Sequence, residues 1–471
     1  MAAERVSLRL LLAFLRILFP DSAGATQSYG PVDISSLLPS NECIPSKGLE
    51  ISHPGRLTLV SGNGPCSPLP TEERLNSRQI LVQDRARVKL LRSMIAARHR
   101  RSQPLDSSMV SSTPVNYGIP NFNTNNYIVK VGFGTPKRDM NLVFDTGSDL
   151  TWIRCLPCAS GDCSRQRDPV FDPSKSSSFR DIPCPSHDCS AFKSSLYKQS
   201  TTCGAPSVCD YKIGYSDGST SGGSLGSDTI SLTRTISISL FRFGCGHDTR
   251  GNFGTTSGLL GLGPGNASLV SQSAALRLGK SFSYYLPSRQ SSTGFLSFSP
   301  EVSPDVKFTP LLNLYLRSFY FLHLLEIKVG DGKLPLSISP VDTVIDSGTV
   351  ITTLPAATYA SLRSTFRKAM ANFTTATPED KLLDTCYNFS DYDVLPAVPT
   401  VALVFEGDVQ VDVGVSGILY GTDKSRLCLA FAANSRADDG SIVIGNKVQR
   451  GYEVIYDVGN ERLGFRAVER I

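Results

Sequence analysis

Apart from a short leader-like stretch, the sequence has no long apolar run. Without about 18 consecutive apolar residues, no membrane-spanning helix is expected and a membrane partner is excluded. Histidine is scarce, at five residues, and His187, His247 and His323 share no metal-like spacing. Among the cysteines only Cys155-Leu-Pro-Cys158 reads as a CxxC unit, with neither a second such pair nor a His-x3–5-His beside it, so no zinc site, metal or cofactor is expected. Charge of either sign is sparse. The net charge is +5, with +1 in residues 1–25, +4 in residues 26–115 and neutrality from residue 116 on. A neutral body argues against nucleic acid as a partner, although a basic front segment could still meet something acidic.

What is present is glycine (39 residues), twelve cysteines and 40% hydrophobic residues, enough for a sizeable core. Seven cysteines crowd between Cys155 and Cys209 at irregular spacings, which favours disulfides and an oxidising compartment. Residues 1–25 are expected to be a signal or targeting peptide. Leu10 to Leu15 is a short apolar run and Ala23-Gly-Ala25 a cleavage-type triplet, though Arg9 and Arg16 also suit an Arg-rich transit peptide. The expected location is secreted or apoplastic, with plastid or vacuole as alternatives. Sequons at Asn266, Asn372 and Asn388 fit the secretory route.

Residues 26–115 read as a prosegment. A polar stretch with Cys43 and Cys66 precedes a basic amphipathic helix expected over 72–95, with Ile80, Leu81, Val88, Leu91 and Ile95 on one face. Arg98-His-Arg-Arg101 and a Ser/Pro-rich run to Pro114 follow, an exposed junction suited to trimming. From Asn126 onward short strands dominate, and clear helical signals are confined to 268–278 and 356–371. The fold class is all-β with a few helices.

One element recurs. Leu142-Val-Phe-Asp145-Thr-Gly-Ser148 returns 201 positions later as Thr343-Val-Ile-Asp346-Ser-Gly-Thr349. A Gly-rich element follows each copy, Gly258 to Gly263 after the first and Ile442 to Gly445 after the second. A single Asp-x-Gly is ordinary turn chemistry. Two copies in matched settings predict two homologous lobes, 116–304 and 305–471, each offering one carboxylate.

Paired carboxylates suit hydrolysis of an amide by water. Like charges about 3 Å apart share one proton, so one partner can take a proton from water while the other polarises the carbonyl. Asp145 and Asp346 are the candidate catalytic pair. Gly147 and Gly348 permit the sharp turns. Ser148 and Thr349 can orient the carboxylates, and Thr146 and Ser347 can bond across the junction.

On these motifs the chain resembles the pepsin-type aspartic proteases, in particular the plant nepenthesin-like branch with its relatives described as chloroplast nucleoid proteins. The resemblance covers residues 120–471. It extends to Gly244-Cys-Gly246, Asp384-Thr-Cys386, Leu427-Cys-Leu429 and Arg462-Leu-Gly-Phe465, while Gly64-Pro-Cys-Ser-Pro68 resembles the prosegment of the same branch.

It implies a bilobal fold with a central cleft, and a flap hairpin with Tyr215 closing over an extended peptide and Trp152 bonding that tyrosine. It also implies a Cys-rich insertion and a Cys386–Cys428 pair. Ser216 stands where the family usually has Gly, and Tyr285 and the C-terminus stand where relatives carry two further cysteines. The ten cysteines Cys155, Cys158, Cys163, Cys184, Cys189, Cys203, Cys209, Cys245, Cys386 and Cys428 are then expected to form five bridges.

The expected function is an aspartic endopeptidase made as a zymogen, a monomer acting on extended peptides or proteins, with its own prosegment as inhibitor. A catalytically dead binding or inhibitor-like protein on the same fold is one alternative. A plastid nucleic-acid-associated protein is the other.

Overall fold

The computed structural model describes residues 28–46, 55–99, 127–159, 169–195, 200–203, 207–215, 219–251, 256–274, 279–298, 300–304, 306–312, 318–336, 339–395, 397–434 and 440–469. The leader, the run from Arg100 to Pro114, Cys163, Ser216 and Asp217 lie outside them.

Alternating burial marks the strands. In Arg138–Asp145 the side chains of Met140, Leu142 and Phe144 enter the main core while Asp139 is exposed. This strand pairs antiparallel with Tyr127–Phe133 and parallel with Gly258–Gly261, so Asp145 emerges beside Gly261. The second half repeats the arrangement. Val341–Ile345 pairs antiparallel with Tyr320–Val329 and parallel with Ile442–Ile444, delivering Asp346 at the strand's end. The duplication legible in the sequence is thus a duplication of strand order.

The halves share more than a hinge. The C-terminal strands Tyr452–Asp457 and Arg462–Ala467 pair with each other, and the first of them pairs with Ser281–Tyr285 in the same large sheet as the first half. That sheet also takes in Arg56–Ser61, between Thr293–Phe298 and Tyr127–Phe133. This front strand buries Leu57 and Leu59. Farther forward, Ser28–Tyr29 and Val32–Asp33 pair with short strands of the second half, Ile34 is fully buried, and a Cys43–Cys66 disulfide ties this strap to the turn that follows the front strand. The front region expected to be a polar stretch is built into the body.

The long helix runs over Ser77–His99, not from residue 72. Asn76 and Gln79 make reciprocal bonds, Gln79 N to Asn76 Oδ1 at 2.9 Å and Asn76 N to Gln79 Oε1 at 3.0 Å. This capping box satisfies the first free amides and fixes the start, while Thr71–Glu73 forms a separate tight turn. The later helices among the described residues are His187–Ser195, Leu269–Ser273 (with residues 275–278 outside the description), Ala356–Ala369 and the short Val415–Ile418.

Candidate active site

Asp145 and Asp346 are both fully buried at the junction of the halves. Each carboxylate is held the same way. Ser148 Oγ donates to Asp145 Oδ2 at 2.5 Å and Gly147 N to its Oδ1 at 3.0 Å. Thr349 Oγ1 donates to Asp346 Oδ2 at 2.5 Å and Gly348 N to its Oδ1 at 3.2 Å. Between them Thr146 and Ser347 cross-link the two loops. Thr146 N donates to Ser347 Oγ at 3.1 Å and Ser347 N to Thr146 Oγ1 at 3.0 Å, with the two hydroxyls 3.1 Å apart. The pseudo-twofold is therefore a closed ring of bonds that sets the carboxylates' separation.

A Cβ on Gly147 would stand 2.5 Å from Arg87 Nη2 and 2.7 Å from Asp346 Oδ1, so alanine there would push on both. Asp149 is buried, accepts Gly265 N at 2.8 Å and anchors the loop to the following Gly-rich element. Burial lifts its carboxyl to about 6.

The group that joins the two carboxylates is Arg87, from the long helix. Its Nη2 donates to Asp145 Oδ1 at 2.6 Å and to Asp346 Oδ1 at 2.8 Å, and its Nε to Asp346 Oδ2 at 2.7 Å. Burial alone would lower the Arg87 pKa, but the two carboxylates hold it well above its ordinary value. Burial pushes Asp346 up. The charge and hydrogen bonds of Arg87, with Thr349 and Gly348, outweigh that and leave it below the ordinary carboxylate range.

One turn earlier, the buried Asp84 accepts Val350 N at 2.5 Å and Ile351 N at 2.8 Å. Burial raises its carboxyl to about 7. Around these polar contacts Ile80 and Leu81 pack on Val350, Ile351, Leu383 and Tyr420. Leu91 and Ile95 pack on Phe319, Phe321, Val344 and Val443. Buried apolar side chains stabilise by roughly 1.5–3 kcal/mol each, as an upper bound, so the helix is seated firmly.

Of the remaining expected residues, Trp152 is fully buried, and its Nε1 donates to Tyr215 Oη at 2.6 Å, at the end of the hairpin formed by Cys209–Gly214 and Thr220–Ser231. Disulfides join Cys155–Cys245, Cys184–Cys203, Cys189–Cys209 and Cys386–Cys428; Cys158 is also bridged, and no described cysteine is free. Asn266 and Asn372 are exposed and Asn388 is half-buried. His247 bonds Pro157 O and Ser224, and His323 bonds Glu406. Among the described residues no cluster suits a metal ion.

Two β-lobes, each ending a buried strand in Asp-Thr/Ser-Gly-Ser/Thr, define a bilobal pepsin-like fold. The sequence matches the family description "Xylanase inhibitor N-terminal" over residues 127–299 and "Xylanase inhibitor C-terminal" over residues 319–467. It is 39% identical to "Aspartyl protease AED1" of Arabidopsis thaliana over 94% of this chain and 93% of that protein. It is 32% identical to "Aspartic proteinase nepenthesin-2" of Nepenthes gracilis over 80% of this chain and 85% of that one. The chain belongs to the pepsin-type aspartic proteases of the plant nepenthesin-like branch.

Among solved structures it shares its fold with conglutin gamma of lupine seeds (TM-score 0.59, 20% identity, 73% of this chain and 92% of that one). Soybean basic 7S globulin is similar to the same degree (TM-score 0.58, 20% identity, 73% and 93%). Among the described residues no helix is long and apolar enough to cross a membrane.

Proposed function

We propose that the protein is an aspartic endopeptidase and that the chain is its self-blocked precursor. The observation that supports this best is the convergence of Asp145 and Asp346 on a single guanidinium nitrogen of Arg87. Two carboxylates within reach of one nitrogen can also share one water once that nitrogen withdraws.

With the helix gone, the pair holds one proton over an acidic range. The ionised carboxylate takes a proton from the water, whose oxygen attacks the scissile carbonyl carbon. The protonated carboxyl hydrogen-bonds the carbonyl oxygen and then supplies the proton with which the amine leaves. Ser148 and Thr349 hold the carboxylates in plane through these steps, and Tyr215 with Trp152 closes the cleft. The two apparent pKa values belong to the pair, so neither role belongs to one Asp throughout. The disulfides favour an oxidising destination such as the cell exterior.

The family descriptions carry the name of xylanase inhibitors, so a non-catalytic relative is the reading to test against. The full-length protein, acidified to about pH 2–3 so that the Asp346–Arg87 pair is lost and the helix releases, should cut a denatured protein substrate and stop on addition of pepstatin. An acid-treated protein that sheds its helix yet cuts nothing would favour the non-catalytic reading.

A further inference from the structure

A cavity of about 470 Å³ lies away from the carboxylate pair, between the N-terminal strap and the second half. Its walls include Tyr29 and Ser36 of the strap, Arg289 and Ser292 of one loop, and Arg450 and Glu469 near the chain's end. That volume falls in the range of small-molecule sites, about 300–1,000 Å³.

Arg450 is the unusual wall residue. It is only 6% exposed, its Nε has no hydrogen-bond partner, and no ion pair among the described residues includes it. A buried guanidinium without a counter-ion is costly unless something negative meets it. Among the described residues no neighbouring group relieves it. The adjoining Lys447 is 4% exposed and likewise lacks an ion-pair partner, and burial, with the Arg450 charge beside it, pushes its amine well below the ordinary value. Of the carboxylates at the site, Glu469 lines the cavity and Asp33 faces Arg289, and both are engaged. Glu469 accepts from Tyr285 Oη and Ser288 N, and Asp33 accepts from Ser35 N and Oγ while facing Arg289.

We propose that this cavity is a binding site for a small organic anion, one presenting a carboxylate or phosphate to Arg450 and Arg289 and its remaining polar atoms to the serine hydroxyls. Guanidinium forks match both groups in geometry. Because Tyr29 and Ser36 form part of the wall, the ligand also bridges the strap to the body. The site reaches the candidate active site through one turn, since Gln449, next to Arg450, donates to the Asp346 carbonyl at 3.3 Å.

The test is thermal unfolding of the full-length protein at pH 7 with citrate or inorganic phosphate titrated against chloride at constant ionic strength. We expect a saturable rise in melting temperature of roughly a few degrees at about 100-fold excess over Kd. A response to citrate alone identifies carboxylate as the ligand chemistry, and a response to phosphate identifies phosphate; either supports the site. Arg289→Glu, an exposed charge reversal that leaves the core intact, and Arg450→Gln should each abolish the rise. Arg289→Glu carries the test alone if Arg450→Gln does not fold. Absence of a saturable rise with both anions, or a rise unchanged in Arg289→Glu, overturns the proposal.

Discussion

The carboxylate of Asp84 accepts the Val350 amide at 2.5 Å, four residues beyond Asp346. It is buried there with its carboxyl raised to about 7 from the ordinary 3.8, whereas Asp346 beside Arg87 is lowered. These two shifts give helix docking opposite pH dependences. A raised docked-state pKa means that Asp84 favours docking fully below about 3.8, and that this contribution fades as pH rises through about 7. A lowered one means that Asp346 favours docking above the ordinary carboxylate value, and that this is lost as pH falls through the docked one. The helix should therefore be held most tightly near pH 4, loosening as pH rises toward about 7 and again as it falls below the ordinary carboxylate range. Hydrogen exchange of the Leu81–Leu91 amides across about pH 2–9, referred to the intrinsic exchange rate at each pH, should show maximal protection near pH 4. Asp84→Asn should flatten the neutral limb and leave the acidic limb in place.

Arg87→Ala should weaken the block without harming the dyad. Removing one partner of a buried charge pair costs about 3–5 kcal/mol, here charged to the docked state alone. At pH 6.5 the full-length variant should cut a fluorogenic peptide well above wild type. Equal latency would show that the apolar contacts of Ile80, Leu81, Leu91 and Ile95 suffice.

The two motif glycines should respond differently to alanine. A Cβ on Gly348 would meet Arg87 first, its three nearest atoms being the guanidinium carbon and both terminal nitrogens at 2.3–2.7 Å. A Cβ on Gly147 would press on Asp346 as well. Gly348→Ala should expose the helix to trypsin at neutral pH. Gly147→Ala should in addition lower kcat after activation, which a peptidase assay reads directly.

Trp152→Phe keeps the buried ring but deletes the donor to Tyr215. A hydrogen bond contributes about 1 kcal/mol, so kcat/KM of the activated enzyme should fall roughly 3- to 10-fold with little change in melting temperature. An unchanged kcat/KM would assign Trp152 to packing alone.

The duplicated strand–Asp–hydroxyl–Gly–hydroxyl element was legible because both its ends are local: apolar alternation before, small polar residues after. Thr146, Ser148, Ser347 and Thr349 sit where that pattern places them. Arg87 was not legible as the bridging group, since Arg85 and Lys89 flank it and the contact spans 259 positions to Asp346. A clue existed nonetheless. Asp84 and Arg87 interrupt the helical stripe of Ile80, Val88, Leu91 and Ile95, and charges inside an apolar stripe need buried partners. The front strand was missed for a different reason. Arg56–Ser61 alternates as strands do, but only pairing on both sides buries Leu57 and Leu59, and its neighbours are remote in sequence. The helix start shifted because Asn76 and Gln79 form a box that apolar periodicity alone does not register.

The central claim is that Asp145 and Asp346 act together on one water. The most direct measurement is cleavage of a denatured protein at about pH 2–3, where the helix is released, by the acid-treated full-length chain, alongside Asp145→Asn and Asp346→Asn. Wild type should cut, and each variant should lose activity by about 10²-fold or more while melting as a folded protein. If either variant cuts at the wild-type rate, or if folded wild type freed of its helix does not cut, the account is wrong.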